Sequence, residues 1–275
     1  VRLRHGGVLA LARMGAIDQA RRIYAQWGLD AVIDNEDVLA LKGRLLKDEA
    51  LAQHGEERRR GLHEAAAAYR RAYDASGGYF SAINVASLSH LAGDRAAAGH
   101  WAATASRLAA DEESYYGRAT MAEAAIVAGD LDAASQRLQE AIALQGASLD
   151  AKVTTRRQLR MLLGGGNAAI LKPLDPPGVA HFCGHRLSLE AQDARFPPSR
   201  EAAVAEEVRR LVAAHDIRFA TGSLASGADI IIAEAVLERG GELDVVLPFA
   251  QAEFIDVSVR SDGAAWVDRF HRCLE

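Results

Sequence analysis

Three strings in the first half of the chain align: Met14-Gly15-Ala16-Ile17-Asp18-Gln19-Ala20, Ala92-Gly93-Asp94-Arg95-Ala96-Ala97-Ala98 and Ala128-Gly129-Asp130-Leu131-Asp132-Ala133-Ala134. Each has a Gly with an Ala five residues on, between segments whose apolar residues recur at helical spacing. Gly ends a helix by adopting the left-handed backbone conformation that a Cβ disfavours. Asp94 and Asp130 stand where a carboxylate caps the helix that follows. The small Ala falls where two antiparallel helices approach each other. A chain written this way stacks helix pairs, because one pair cannot bury its own apolar face.

Gly55 reads as a fourth, degenerate copy, followed by the basic run Arg58-Arg59-Arg60 and lacking the Ala. The spacings Gly15–Gly55, Gly55–Gly93 and Gly93–Gly129 are 40, 38 and 36 residues. They slightly exceed the tetratricopeptide period of about 34 residues, as longer loops would require. Helices are expected over 2–14, 17–28, 36–53, 57–75, 79–92, 95–110, 114–128, 131–145 and 149–163, the last unpaired and capping the stack. Leu138, Ala141, Ile142 and Leu144 mark one apolar face. The Arg58–Arg60 run reads as a solvated helix face, and Tyr115-Tyr116 and Tyr79-Phe80 as packing between helices. Such a stack offers a curved surface for a protein partner or effector domain; the plainer alternative is a spacer.

Gly164-Gly165-Gly166-Asn167 and then Pro173, Pro176 and Pro177 interrupt this pattern. The expected organisation is a helical repeat domain over 1–165, a linker over 166–177 and an α/β domain over 178–275. In the last part strands alternate with helices, the signature of a parallel sheet. Strands are expected at Gly178–Cys183, Ile217–Ala220 and Leu243–Leu247, and helices at about 199–215, 228–239 and from Gly263 onward. The fold class is thus α plus α/β: a tetratricopeptide-like α-solenoid, then half of a Rossmann-like doubly wound sheet. Three strands leave the first with an unpaired side. Together with a start at Val1 rather than Met, this leads us to expect a piece of a longer chain that continues past residue 275.

In open α/β sheets ligands bind beyond the carboxyl ends of the strands. Gly184-His185-Arg186-Leu187-Ser188 follows the first strand, Thr221-Gly222-Ser223-Leu224-Ala225-Ser226-Gly227-Ala228-Asp229 the second, and Pro248-Phe249 the third. The second segment is the most informative. Gly222 and Gly227 let backbone N–H groups turn toward a ligand, and the helix N-terminus behind them suits a phosphate or carboxylate. Ser223 and Ser226 add hydroxyl donors. Asp229 either caps the helix or meets a ribose hydroxyl, and Glu234 faces the site or solvent. Arg186 suits a phosphate, through two parallel hydrogen bonds. His185 is the one candidate for acid–base catalysis, or else fixes its loop.

The chain has neither GxxxxGK[ST] nor GxGxxG after the first strand, and no acidic residue ends the second. That excludes a P-loop NTPase and speaks against a dinucleotide dehydrogenase. The net charge of −5 argues against nucleic-acid binding by bulk electrostatics. No apolar run reaches the roughly 18 residues of a membrane span, and VRLRHGG is not a signal peptide, so a cytoplasmic protein is expected. Cys183 and Cys273 are too few for a disulfide scaffold or a metal site, and Cys183 reads as a buried core thiol.

GHRLS, ARFPP (Ala194–Pro198), ASGADIIIAEAVLERG, LDVVLPF, Glu253-Phe254, Ser258-Val259 and Trp266–Phe270 together resemble a SLOG-type Rossmann-like domain. That superfamily includes the lonely-guy phosphoribohydrolases and a DNA-processing protein with a GxAxGxD-like loop. With the helical repeats upstream, the chain resembles the bacterial TPR-S proteins and the TRAF-binding region of ASK-type MAP kinase kinase kinases. The resemblance implies a sensor or processor of a nucleotide-derived ligand (NAD, ADP-ribose or a cyclic nucleotide), in bacterial immune or stress signalling. It assigns Gly184, His185, Arg186, Gly222, Ser226, Gly227 and Asp229 to the pocket. Lonely-guy enzymes use a later PGGxGTxxE segment, which this sequence lacks. The expectation is therefore a regulatory binding module. A hydrolase of N-glycosidic bonds in nucleotides or NAD, and a pure interaction scaffold, are the alternatives.

Overall fold

The computed structural model describes residues 1–144, 147–164, 168–187 and 195–275. It divides into two compact units, Val1–Asp175 and Pro176–Glu275.

Among its described residues, the elements of the first unit are all helices. In order come α1 (Arg2–Arg13), α2 (Ile17–Gln26), α3 (Glu36–Ala52), α4 (Gly55–Ser76), α5 (Tyr79–Ala92), α6 (Arg95–Ala109), α7 (Tyr115–Ala128), α8 (Leu131–Ala143) and α9 (Leu149–Leu163). The repeated string is built as its residues dictate. Gly15, Gly93 and Gly129 have φ of +81°, +84° and +85°. Each turn is closed by the same bond, from the N–H after the glycine to the carbonyl five residues back: Ala16 to Leu11 at 3.0 Å, Asp94 to Ser89 at 2.9 Å, Asp130 to Ala125 at 2.9 Å. The Asp94 and Asp130 carboxylates then accept from Ala97 N–H at 3.0 Å and Ala133 N–H at 2.9 Å, capping α6 and α8. Ala20, Ala98 and Ala134, the small residues of the repeated string, are buried. Gly55 departs from the pattern. The third helix has already ended at Ala52, Gln53 is extended, and Gly55 opens α4.

Leucines supply most of the bulk between helices: Leu62, Leu88, Leu138 and Leu159 are fully buried, each stabilising by about 1.5–3 kcal/mol relative to exposure. Residues Ala168–Leu174, assigned to a linker by their glycine and proline surroundings, form a 3₁₀ segment. Leu171 and Leu174 pack with Leu138, Leu159 and Leu162 in one cluster, because an apolar residue every third position gives even a 3₁₀ turn a buried side. Arg59 and Arg60 are exposed as expected and Arg58 is half-buried, with Arg59 paired to Glu56 at 2.6 Å. The aromatic pairs are split: Tyr115 is buried, whereas Tyr116 and Phe80 are exposed.

A polar knot crosses the packed helices. Glu123 of α7 accepts from Ser87 Oγ of α5 at 2.5 Å and from Gln158 Nε2 of α9 at 2.8 Å, and Lys47 Nζ of α3 donates to Gln158 Oε1 at 3.4 Å. Burial pushes the Glu123 carboxyl above its usual 4.5, against the pull of those two hydrogen bonds and of Lys47. Burial likewise lowers Lys47, opposed by Asp48 and Glu123.

The second unit carries β1 (Gly178–Phe182), β2 (Ile217–Gly222) and β3 (Glu242–Val245), parallel and in the order β1-β2-β3. With them come α10 (Glu201–Ala214), α11 (Ala228–Leu237), α12 (Gln251–Ser258) and α13 (Ala264–Arg272). Phe182, Leu224, Ile230, Ile231, Val236, Phe254, Trp266 and Phe270 form one core. Helix α12 was not anticipated, because two turns are too short for helical periodicity to register. Among the described residues no helix is long and apolar enough to cross a membrane.

Candidate functional site

The strand register sets the frame. Phe182 pairs with Gly222, and Gly222 with Val245, so the three strands end level. The segments after β1 and β2 therefore emerge side by side. Gly184, His185 and Arg186 are exposed; Thr221 and Gly222 are the last residues of β2; Ser223 is half-buried. Thr221 Oγ1 lies 3.5 Å from Asp244 Oδ2. Of the expected segments, Ser188 and Ala194 lie outside the described residues.

The two segments are joined to each other. Arg186 and Gly227 form an antiparallel bridge, with Leu187 N–H donating to Ser226 O at 3.2 Å and Ala228 N–H to His185 O at 3.1 Å. Gly227 makes this possible with φ of +102°, and a Cβ there would press on Leu187 N at 2.6 Å. Ser226 is fully buried, and both its N–H and its hydroxyl donate to Ser258 O, at 3.0 and 3.1 Å. The expectation that the amides around Gly222–Ala228 turn toward a ligand is thus corrected at two positions. The N–H groups of Ser226 and Ala228 are committed to protein carbonyls, because a buried amide must be paired and the chain supplies the partner.

Arg186 is committed too. Its Nη1 donates to Val257 O at 3.1 Å, and its Nη2 to Asp262 Oδ2 at 3.0 Å and to Ser261 Oγ. Ser226 Oγ also lies against Asp262 Oδ2, so its one proton is shared between that carboxylate and Ser258 O. In the sequence, Arg260-Ser261-Asp262-Gly263 carries only the signal of a turn, and nothing local marks Ser261 or Asp262 as a site residue.

Asp229 does not cap α11; the cap position is Gly227, without a side-chain bond. The Asp229 side chain instead faces the backbone N–H groups of Gly184 and Ala225. Burial raises its proton affinity and these two donors oppose the rise. Its Oδ1 is enclosed yet has no partner at hydrogen-bonding geometry. Gly184 is glycine for a steric reason, since a Cβ would collide with Ala228 and meet Asp229 Oδ1 at 3.5 Å. His185 pairs through its side chain with no described acid or base. Cys183 is exposed rather than buried, because β1 ends at Phe182 and is an edge strand.

Glu234 faces neither site nor open solvent. It holds Arg269 through contacts of 2.6 and 2.8 Å, with Arg269 stacked 4.0 Å over the Trp266 ring and paired to Glu201 at 2.6 Å. A cleft of about 590 Å³ opens there, lined by Glu201, Glu206, Glu234, Glu238, Arg209 and Arg269. Its acidic excess opposes an anionic ligand, so it is not a rival to the strand ends.

A family model described as Tetratricopeptide Repeats-Sensor (TPR-S) matches residues 2–89. No curated protein matches the chain. The family's match falls on α1 to α5, the part of the chain where paired helices and glycine turns begin, and repeats of this kind serve protein interaction. Residues 2–89 are thus similar to the repeats of TPR-S proteins.

Proposed function

We propose that this is a regulatory protein whose C-terminal unit binds a nucleotide-derived ligand of the NAD, ADP-ribose or cyclic-nucleotide type, and whose repeats carry the bound state to a protein partner. The observation that carries the reading is Asp229: a buried carboxylate with one unpartnered oxygen, beside Gly184 and near the level ends of the parallel strands. A carboxylate only accepts hydrogen bonds, and ribose hydroxyls are the complementary donors. Gly184 and His185, in the segment after β1, are exposed, and Ser223, just after β2, is half-buried. The resemblance to SLOG domains and to the TRAF-binding region of ASK-type kinases supports a role in bacterial immune or stress signalling.

The test is calorimetry and thermal melting of the full chain with NAD, ADP-ribose and cyclic nucleotides. A ligand present at about 100 times its Kd stabilises the folded state by about 2.7 kcal/mol. Asp229→Asn turns one acceptor into a donor and is expected to weaken binding about tenfold or more. Absence of binding by all these compounds, or equal binding by the variant, refutes the reading. The scaffold alternative draws on the committed amides of Ser226 and Ala228, and it predicts that null result.

A further inference from the structure

The side chains nominated to hold an anion already hold one, and it belongs to the chain. The Asp262 carboxylate accepts from Arg186 Nη2 at 3.0 Å and from Ser226 Oγ, while Ser261 Oγ accepts from the same Arg186 nitrogen. The carboxylate side chain is 8% exposed and the Arg186 side chain 42%. A sheltered anion thus sits behind a guanidinium that solvent can reach. The pieces come from three places: the segment after β1, the loop after β2, and the 3₁₀ turn Arg260–Asp262 between α12 and α13.

We propose that Arg186, Ser226 and Ser261 form a phosphate-binding site whose resident occupant is the Asp262 carboxylate, which an incoming phosphate displaces. This rests on the sensor reading above and adds to it where the phosphate binds and what that binding moves. A phosphate group brings more charge than a carboxylate, and three acceptor oxygens, to the same donors, so it can compete for them. Displacement has a structural consequence. Ser226 also anchors Ser258 O, the last residue of α12, and Asp262 adjoins Gly263, whose φ of +118° opens α13. Losing the Asp262 contacts frees the segment 258–263 between the two helices. Binding at the strand ends is thereby converted into mobility of the α12–α13 connection.

The experiment titrates inorganic phosphate and ADP into wild type, Asp262→Asn and Arg186→Ala, and follows hydrogen exchange of the wild type with and without saturating ADP. Removing the resident charge should tighten phosphate and ADP about tenfold, and Arg186→Ala should weaken both by a similar factor. Residues 258–263 should exchange faster in wild type with ADP bound. If wild type binds ADP while exchange at 258–263 and the Asp262→Asn affinity stay unchanged, the displaced-carboxylate site is wrong and the sensor reading stands. If neither wild type nor Asp262→Asn binds phosphate or ADP, this site is wrong, and the sensor reading falls with it only if NAD, ADP-ribose and cyclic nucleotides also fail to bind. Should Asp262→Asn not fold, the exchange measurement on the wild type decides alone.

Discussion

Replacing Glu123 separates the two roles of the polar knot inside the repeats, hydrogen bonding and charge. The folded protein holds the Glu123 proton more tightly than the unfolded chain does, because burial raises the carboxyl above its usual 4.5. The carboxyl therefore favours folding fully below that value, and the advantage is lost as pH rises through the elevated folded value. In that window stability declines by at most about 1.4 kcal/mol per pH unit. Glu123→Gln keeps an oxygen for Ser87 Oγ and Gln158 Nε2 but never ionises, so this component of the pH slope should vanish. At pH 7 to 8 the variant should melt no lower than wild type. Glu123→Ala removes the acceptor. Ser87, fully buried, then loses its partner at a cost of about 2 kcal/mol, and the half-buried Gln158 about 1 kcal/mol more. For a unit of this size that is a fall of about 6–12 °C. Circular-dichroism melts of the three proteins from pH 5 to 8 make the comparison. A Glu123→Gln slope equal to wild type, or Glu123→Ala melting within about 2 °C of it, would show that the knot is not the buried acceptor described.

Two glycines should respond in opposite senses to alanine. Gly129→Ala forces a Cβ onto a backbone at φ +85° and should cost about 1 kcal/mol, whereas Gly99→Ala, inside α6 with open space around it, should gain about 0.5–1 kcal/mol in urea unfolding. Shifts of the same sign would refute the turn assignment. The native protein should show one thiol reactive toward a disulfide reagent at pH 8, the exposed Cys183. Cys273, buried and pushed up to about 11, should react only after unfolding, and two fast thiols would contradict this.

The helix pairs were legible because their signals are local. A glycine's left-handed preference, an Asp one residue on and an Ala that fits a crossing are each properties of single positions, and all act at Gly93, Asp94 and Ala98. Where such a signal was absent, the sequence misled. Gly55 looked like a helix end and is a helix start, and Ala168–Leu174 looked like a linker yet buries Leu171 and Leu174. In the second unit the strand order follows from alternation of elements, but β2 runs two residues beyond its expected end, to Gly222. The state of the candidate site was the least legible. Arg186 and Asp262 are 76 positions apart, and nothing local in either marks the other as a partner. Asp229 has the position of a capping residue, and only the packing of Gly184 against Ala228 shows where its carboxylate goes.

The turns at Gly15, Gly93 and Gly129 have one more property in common: a Cβ placed on any of them would touch nothing. At the glycine itself each turn is closed by peptide groups, with open space where a side chain would stand. A helix pair can therefore be duplicated or deleted at these points without redesigning the joint, and only the matching of helix faces limits the result. Arrays of different length, assembled by gene duplication or by hand, should keep the same pitch from one unit to the next.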